Sequence, residues 1–277
     1  LRGRKVLRPQ EVADPTGAPD GGSDGGSLLS VTGVTKSFGG IAAVRDVNFT
    51  VESGESVGLV GPNGAGKTTL FNCICGQLRP ERGTVELGGT ALGRLPTFQR
   101  ARLGIGRTYQ RVEVFTDMTV AEHLLVAERA RCTGGQLWRD LCNRSHPTPA
   151  ELKRVAEVLD LIGIGDRADT PVSALGLGSC RLVELARALV ADPVLLLADE
   201  PSSGLDVRET QELANVLRTL QRERGMAVLL VEHDLHMVAQ VVDRVVVMDL
   251  GTVIAHGAFD EVMADSTVRH AYLGTSG

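Results

Sequence analysis

The residues of this chain best suited to chemistry lie in the run Gly61-Pro62-Asn63-Gly64-Ala65-Gly66-Lys67-Thr68-Thr69, which fits the spacing G-x-x-x-x-G-K-[ST] directly after the apolar stretch Val57 to Val60. A polyphosphate demands these residue types. Glycines let backbone N–H groups curl around the anion, Lys67 reaches the β and γ oxygens, Thr68 offers a hydroxyl to Mg2+, and the helix that follows turns its positive end toward the charge. Such a loop needs an acid at the end of a second buried strand to hold the metal, and Leu195-Leu196-Leu197-Ala198-Asp199 supplies it, with Glu200 next. Adjacent acids divide the labour: Asp199 on the metal, Glu200 orienting and deprotonating the attacking water. A third apolar run ends at Val231 and delivers Glu232-His233-Asp234, so His233 is expected at the γ-phosphate. The other histidines (His123, His146, His236, His256 and His270) read as structural. None of the four lysines (Lys5, Lys36, Lys67, Lys153) follows an asparagine, as a guanine-reading Asn-Lys pair requires, which favours ATP over GTP.

The elements that must position these groups can be read from the pattern around them. Val47, Phe49 and Val51 alternate as in a half-buried strand, Glu52-Ser53-Gly54-Glu55 turns the chain, and Thr84 to Leu87 forms a short strand between Arg82-Gly83 and Gly88-Gly89. These predict a small sheet beside the main one. Thr148-Pro149-Ala150-Glu151 is a capping box with proline at the first helical position, and Leu152, Val155, Ala156, Leu159 and Ile162 follow at helical spacing. The last third alternates strand and helix: Val194 to Ala198, Val207 to about Glu223, Met226 to Val231, a further helix, then Arg244 to Met248. That order predicts a parallel sheet with helices on its faces.

Composition narrows the partners. The 277 residues carry 29 Lys plus Arg against 34 Asp plus Glu, a net charge of −5, which gives no global electrostatic reason to bind nucleic acid. The longest wholly apolar run, Met226 to Val231, has six residues where a membrane-spanning helix needs about 20. The five cysteines (Cys73, Cys75, Cys132, Cys142, Cys180) form no CxxC and read as small buried hydrophobes in a reducing compartment. Residues 1–27, with Arg2, Arg4, Lys5 and Arg8 followed by prolines and a Gly/Ser/Asp run, read as a flexible, solvated tail or linker. The chain opens on Leu1 rather than Met, as a piece of a longer polypeptide would.

Together these motifs resemble the ATP-binding cassette family over roughly Leu28 to Gly274. The resemblance implies an α/β P-loop fold with a RecA-like parallel-sheet core, a small antiparallel β subdomain and an α-helical subdomain at about 111–185, within one cassette domain spanning 28–277. It implies that Phe38 stacks on adenine, that Gln110 in Gly106-Arg107-Thr108-Tyr109-Gln110 senses Mg2+ and joins the core to the helical subdomain, and that Asp206 in Ser202-Ser203-Gly204-Leu205-Asp206 crosses a dimer interface. One motif departs from the family pattern. The signature L-S-G-G-Q or L-S-x-G-Q falls on Leu175-Gly176-Leu177-Gly178-Ser179, with Gly176 in place of serine and Ser179 in place of glutamine. In the family this segment opens a helix whose N-terminus covers the γ-phosphate held by the other subunit; here the backbone N–H groups remain and the hydroxyl is missing.

Gly104 to Gln110, Val114-Phe115-Thr116-Asp117-Met118-Thr119-Val120-Ala121-Glu122, the polar segment from about Ala130 to Pro149, and Ala271-Tyr272-Leu273-Gly274 are similar to the larger ATPase of branched-chain amino acid importers. The resemblance implies ATP and Mg2+ as ligands, integral-membrane permease subunits as partners, a substrate-binding protein acting indirectly, and a peripheral place on the cytoplasmic face of the membrane. Tyr109, Val112, Val114 and Phe115 are the expected docking groove for a membrane-subunit helix. Because a homodimer would carry the Gly176 defect in both sites, a second, different cassette is the expected partner. Two alternatives remain: a cassette for lipid or lipopolysaccharide export, and a nucleic-acid-acting cassette, whose usual coiled-coil insertions and zinc cysteines are missing from the sequence.

Overall fold

A computed structural model describes residues 27–108, 117–132 and 147–273. Its core is a six-stranded sheet in the order β10-β9-β3-β8-β7-β6, formed by β3 (Ser56–Val60), β6 (Ile105–Arg107), β7 (Leu195–Asp199), β8 (Ala227–Val231), β9 (Arg244–Asp249) and β10 (Thr252–Gly257). All neighbours are parallel except the edge strand β10. Strands covered on both faces need apolar side chains at every position, which is why β3, β7 and β8 are buried throughout. Leu195 and Leu197 point into one core with Val57 and Leu59, whereas Leu196 and Ala198 point into the other with Val228 and Leu230. Each fully buried leucine of this kind contributes about 1.5–3 kcal/mol of hydrophobic stabilisation.

The first of these cores is closed by helix α1 (Lys67–Cys75) and by a four-stranded antiparallel sheet, order β2-β1-β4-β5, made of β1 (Leu29–Phe38), β2 (Ile41–Val51), β4 (Arg82–Leu87) and β5 (Thr90–Ala91). Val47, Phe49 and Val51 face inward as their alternation predicts, with Asn48 and Thr50 exposed. Helix α2 (Thr97–Arg102) precedes β6. The second core holds α3 (Val120–Cys132), α4 (Pro149–Leu161), α5 (Leu177–Leu189), α6 (Val207–Arg224) and α7 (Leu235–Val241). The short α8 (Phe259–Ala264) and α9 (Ser266–Leu273) follow β10.

Helix α4 begins at the predicted capping box, with Thr148 accepting from the Glu151 N–H and the Glu151 side chain returning to the Thr148 backbone. Its buried face differs from the expected one. Val155, Val158, Leu159 and Ile162 are buried, but Leu152 is 47% exposed and Ala156 lies out in solvent. Residues 155, 158, 159 and 162 form a complete i, i+3, i+4, i+7 stripe, and 152 and 156, themselves four apart, fall on its solvent margin. Cys73 and Cys75 are buried as expected, Cys180 is half-buried, and Cys132 and Cys142 lie outside the described side chains. Burial pushes the Cys73 and Cys75 thiols up to about 11 and about 12, so both stay protonated.

Arg100 in α2 is 3% exposed and anchors α1 from below. Its Nη1 donates to the carbonyls of Cys73 and Ile74, each at 2.8 Å, its Nε to Leu95 O at 2.9 Å and its Nη2 to Gly93 O at 3.2 Å. A cation on the last carbonyls of a helix supplies donors where the i→i+4 ladder ends and complements the helix dipole. Arg100→Ala is therefore expected to lower stability by about 2–4 kcal/mol, because it removes four charge-assisted bonds to backbone carbonyls, of which Cys73 O keeps the Gly76 N–H. Urea unfolding followed by circular dichroism measures this; a loss under about 0.5 kcal/mol would show that water reaches those carbonyls.

Candidate functional site

Parallel register brings the sequence-separated motifs to one edge of the sheet. Leu59 pairs with Val231, and Val231 pairs in turn with Asp199, so the residues that follow β3, β7 and β8 leave the sheet side by side. Ligands of open α/β sheets bind at this carboxyl edge. The loop after β3 is built by close backbone approach: a Cβ on Gly61 would stand 2.1 Å from Met248 O, and one on Gly66 2.3 Å from Ala43 O. Both have positive φ, 146° and 98°, which together with the contacts excludes other residues there. Gly66 is the N-cap of α1 and offers no side-chain cap, so the first N–H groups of that helix have no side-chain acceptor from their own cap. Nothing lies within 4 Å of a Cβ position at Gly64, which leaves room over the loop. An anion-shaped cradle with unanswered donors fits a polyphosphate.

Lys67 is 5% exposed and donates to Gly61 O at 2.6 Å and Pro62 O at 3.0 Å, the carbonyls of its own loop. Burial draws its ammonium below the ordinary lysine range, and the charge of Glu200 partly restores it. Asp199, 4% exposed, is shifted oppositely: burial raises its carboxyl above the usual range, Arg107 pulls it down, and Glu200 and Glu232 push it up. Arg107 Nη2 lies 3.7 Å from Asp199 Oδ2, with its guanidinium over the Phe71 ring at 5.0 Å. A buried cation and a buried anion, each displaced toward neutrality, fit a ligand carrying both phosphate and a divalent metal. Asp199 with the Thr68 hydroxyl is a donor set suited to Mg2+, which takes one or two protein oxygens and completes its shell from phosphate and water.

Glu200 has a left-handed backbone, φ 47°, and its N–H donates to Val231 O at 2.8 Å. The resulting kink turns its carboxylate out of the strand line toward His233, whose Nε2 lies 3.0 Å from Glu200 Oε1. A non-glycine residue in this region costs about 1–3 kcal/mol, and such strain concentrates where a side chain must be aimed. Glu232, which no motif singles out, organises the neighbouring loops. It is 3% exposed, and its two oxygens accept from Ser202 N at 2.8 Å and His233 N at 3.0 Å, tying the turn after β7 to the turn after β8. Its position beside a candidate histidine was the only signal available in the sequence.

Phe38 ends β1 and is 49% exposed, with Lys36 Nζ 5.4 Å from its ring centroid, so it is not a core aromatic. Across the hairpin, Ala43 of β2 abuts Gly66, which places this corner of the small sheet against the phosphate loop. Gln110 and the expected docking groove of Tyr109, Val112, Val114 and Phe115 lie outside the described residues. The degenerate signature does open a helix: Gly176 is the extended N-cap of α5 with no side-chain cap, and Ser179 Oγ bonds to Arg167. Asp206 caps α6, accepting from Glu209 N at 2.8 Å in a reciprocal capping box.

The profile of the ABC transporter family matches residues 44–203, from β2 through the acids to the turn after β7. The chain belongs to the ABC transporter family. As a member it is an ATP-binding cassette with ATPase activity. The cassette is 40% identical over 250 residues to the high-affinity branched-chain amino acid transport ATP-binding protein LivG of Escherichia coli (strain K12), covering 89% of this chain and 98% of that protein. Against BraF of Pseudomonas aeruginosa, of the same description, identity is 36% over 251 residues with the same coverage. The lipopolysaccharide export system ATP-binding protein LptB of Haemophilus influenzae is 35% identical over 249 residues, covering 90% of this chain and 98% of that protein. Among solved structures, the ADP conformation of MJ1267, an ATP-binding cassette of an ABC transporter, superposes with a TM-score of 0.80 at 29% identity, covering 90% of this chain and 99% of that one. Among the described residues no helix is long and apolar enough to cross a membrane.

Proposed function

We propose that this cassette powers branched-chain amino acid uptake, binding and hydrolysing ATP at the edge formed by Lys67, Asp199, Glu200 and His233 while permease subunits carry the solute. The observation behind the hydrolytic half is the Glu200 carboxylate, aimed by a strained backbone and 3.0 Å from His233 at the mouth of the phosphate loop. The substrate half rests on similarity to LivG and BraF, which extends over nearly their whole length. Lys67 shifts its ammonium from loop carbonyls to phosphate oxygens. Glu200 accepts the proton of the attacking water, and His233 steadies that carboxylate from its open side. Mg2+, held by Asp199 and Thr68, would neutralise phosphate charge. Phe38 supplies a flat exposed face for adenine, and Gln110 is the proposed sensor of the metal.

The cassette works as a dimer in this reading, with the N-terminus of α5 covering the γ-phosphate in the partner's loop and Asp206 at the interface. The partner is a second, different cassette, because Gly176 brings no hydroxyl and a homodimer would carry that lack in both sites. A charge-assisted bond of the missing kind is worth about 1.5–3 kcal/mol. The assembly sits on the cytoplasmic face of the membrane, its permeases docked beside Gln110 and the helical subdomain at about 111–185, and a binding protein delivers the solute from the other side. Deleting the gene in its host is expected to abolish branched-chain amino acid uptake, and the purified transporter should contain one copy of this chain with a different cassette. Turnover falls more on Glu200→Gln here than on the equivalent change in the partner. Two copies of this chain, or equal losses, would remove the asymmetry; unimpaired uptake would remove the substrate assignment.

A further inference from the structure

Glu209, in the first turn of α6, joins two helix N-termini at once. Its Oε2 accepts from Asp206 N at 3.2 Å, the local capping contact, while its Oε1 accepts from Gly178 N in the first turn of α5, also at 3.2 Å. The fit is close: a Cβ on Gly178 would stand 2.5 Å from that Oε1 and 2.7 Å from the carboxyl carbon. Two further contacts bind the same pair of segments. Arg181 Nη2 donates to Ser203 O at 3.2 Å, and Leu177 lies 3.0 Å from a Cβ position on Gly204. Gly176, by contrast, has nothing within 4 Å and no side chain with which to cap α5. The carboxylate of Glu209 therefore supplies, from another helix, the cap that an N-cap side chain would ordinarily provide.

We propose that Glu209 is a positioning residue that gates the signature segment: its carboxylate occupies the Gly178 N–H, one of the first-turn donors of α5 that in the dimer reading above cover the γ-phosphate of the opposite cassette, so closure on ATP has to displace it. The inference rests on the dimeric transporter reading above. A carboxylate and a terminal phosphate are both anions competing for the positive end of one 13-residue helix, and the phosphate wins only by carrying more charge. The displaced carboxylate keeps Asp206 N as a partner, so the exchange loosens α5 from the turn between β7 and α6 without unfolding either helix. Local capping alone makes the opposite demand, since a residue that only stabilises α6 leaves the nucleotide requirement unchanged or worsens it when altered.

Glu209→Gln separates the two, because glutamine preserves the capping box and its shape while removing the charge. In the assembled transporter, labelled to report closure of the cassettes by fluorescence, the variant should need about fivefold less ATP for half-maximal closure. Inhibition by ADP, which lacks the γ-phosphate, stays unchanged. Glu212→Gln, on the exposed face of the same helix, leaves both values at those of the parent. An ATP requirement that is unchanged or higher in Glu209→Gln, or equal shifts for ATP and ADP, overturns the gate. A parent assembly that never closes on ATP overturns the transporter reading, and the gate with it.

Discussion

Glu200→Gln retains nucleotide binding and loses at least about 100-fold in hydrolysis, the span attributed to a positioned general base. The substitution keeps the volume and the left-handed backbone whose N–H reaches Val231 O, so the turn after β7 is undisturbed. What changes is basicity: an amide oxygen accepts a hydrogen bond from water and cannot take its proton. Removing one negative charge beside Lys67 and Asp199 also favours a bound polyphosphate, since Glu200 is among the groups that raise the Asp199 carboxyl. The variant is thus expected to accumulate in the ATP-bound, closed dimer. Single-turnover phosphate release, with permeases and partner cassette present, reads the rate, and retention of labelled ATP reads the trap. Release near the parental rate would assign the base elsewhere, His233 at 3.0 Å being the first group to test.

The residues legible in the sequence share one property: their chemistry is announced by local order. A glycine loop after an apolar run, two acids closing Leu195 to Ala198, and a histidine closing Met226 to Val231 each couple a strand to the group it delivers, and parallel register then brings the three ends together. The helix at Pro149 was legible for the same reason, since its capping box is contained in four residues. Arg100, Arg107, Glu209 and Glu232 were not. Arg100 meets Cys73 O at a separation of 27 residues, Glu209 meets Gly178 at 31 and Glu232 meets Ser202 at 30, and no periodicity marks a side chain whose partner is a distant backbone group. Leu152 failed differently. A single leucine at helical spacing does not say which edge of the stripe it occupies until the packing helix is placed. Motif reading thus finds the groups that touch substrate, and the structure adds those that hold them in place.

Lys67→Ala should weaken ATP binding by at least about 100-fold without weakening the fold, and the pairing of those two outcomes is the test. Lys67 is the buried cation of the loop, its Nζ held by Gly61 O and Pro62 O, so its removal leaves phosphate oxygens with backbone donors alone. Burial lowers its pKa in the folded chain below the unfolded value. A lysine shifted this way binds its proton more weakly when folded, so it costs stability at neutral pH, and stability rises with pH between the folded and unfolded values. Asp199 is the mirror case. Its folded pKa is raised, so its ionised form costs stability above that value, and stability rises as pH falls through it toward the unfolded value. The nucleotide-free site therefore holds two strained charges of opposite sign, each relieved by a ligand that brings phosphate to one and a divalent cation to the other. Alanine at 67 removes one of these costs along with the two hydrogen bonds that Nζ donates to loop carbonyls, so the melting temperature without nucleotide stays close to that of the parent, while the increase on adding ATP and Mg2+ disappears. Lys67→Met, which keeps the apolar stem, behaves the same way. If both variants instead melt well below the parent and still gain stability from ATP, Lys67 serves chiefly as a clamp on its own loop, and the phosphate contact belongs to the N–H groups of Gly64 to Thr69.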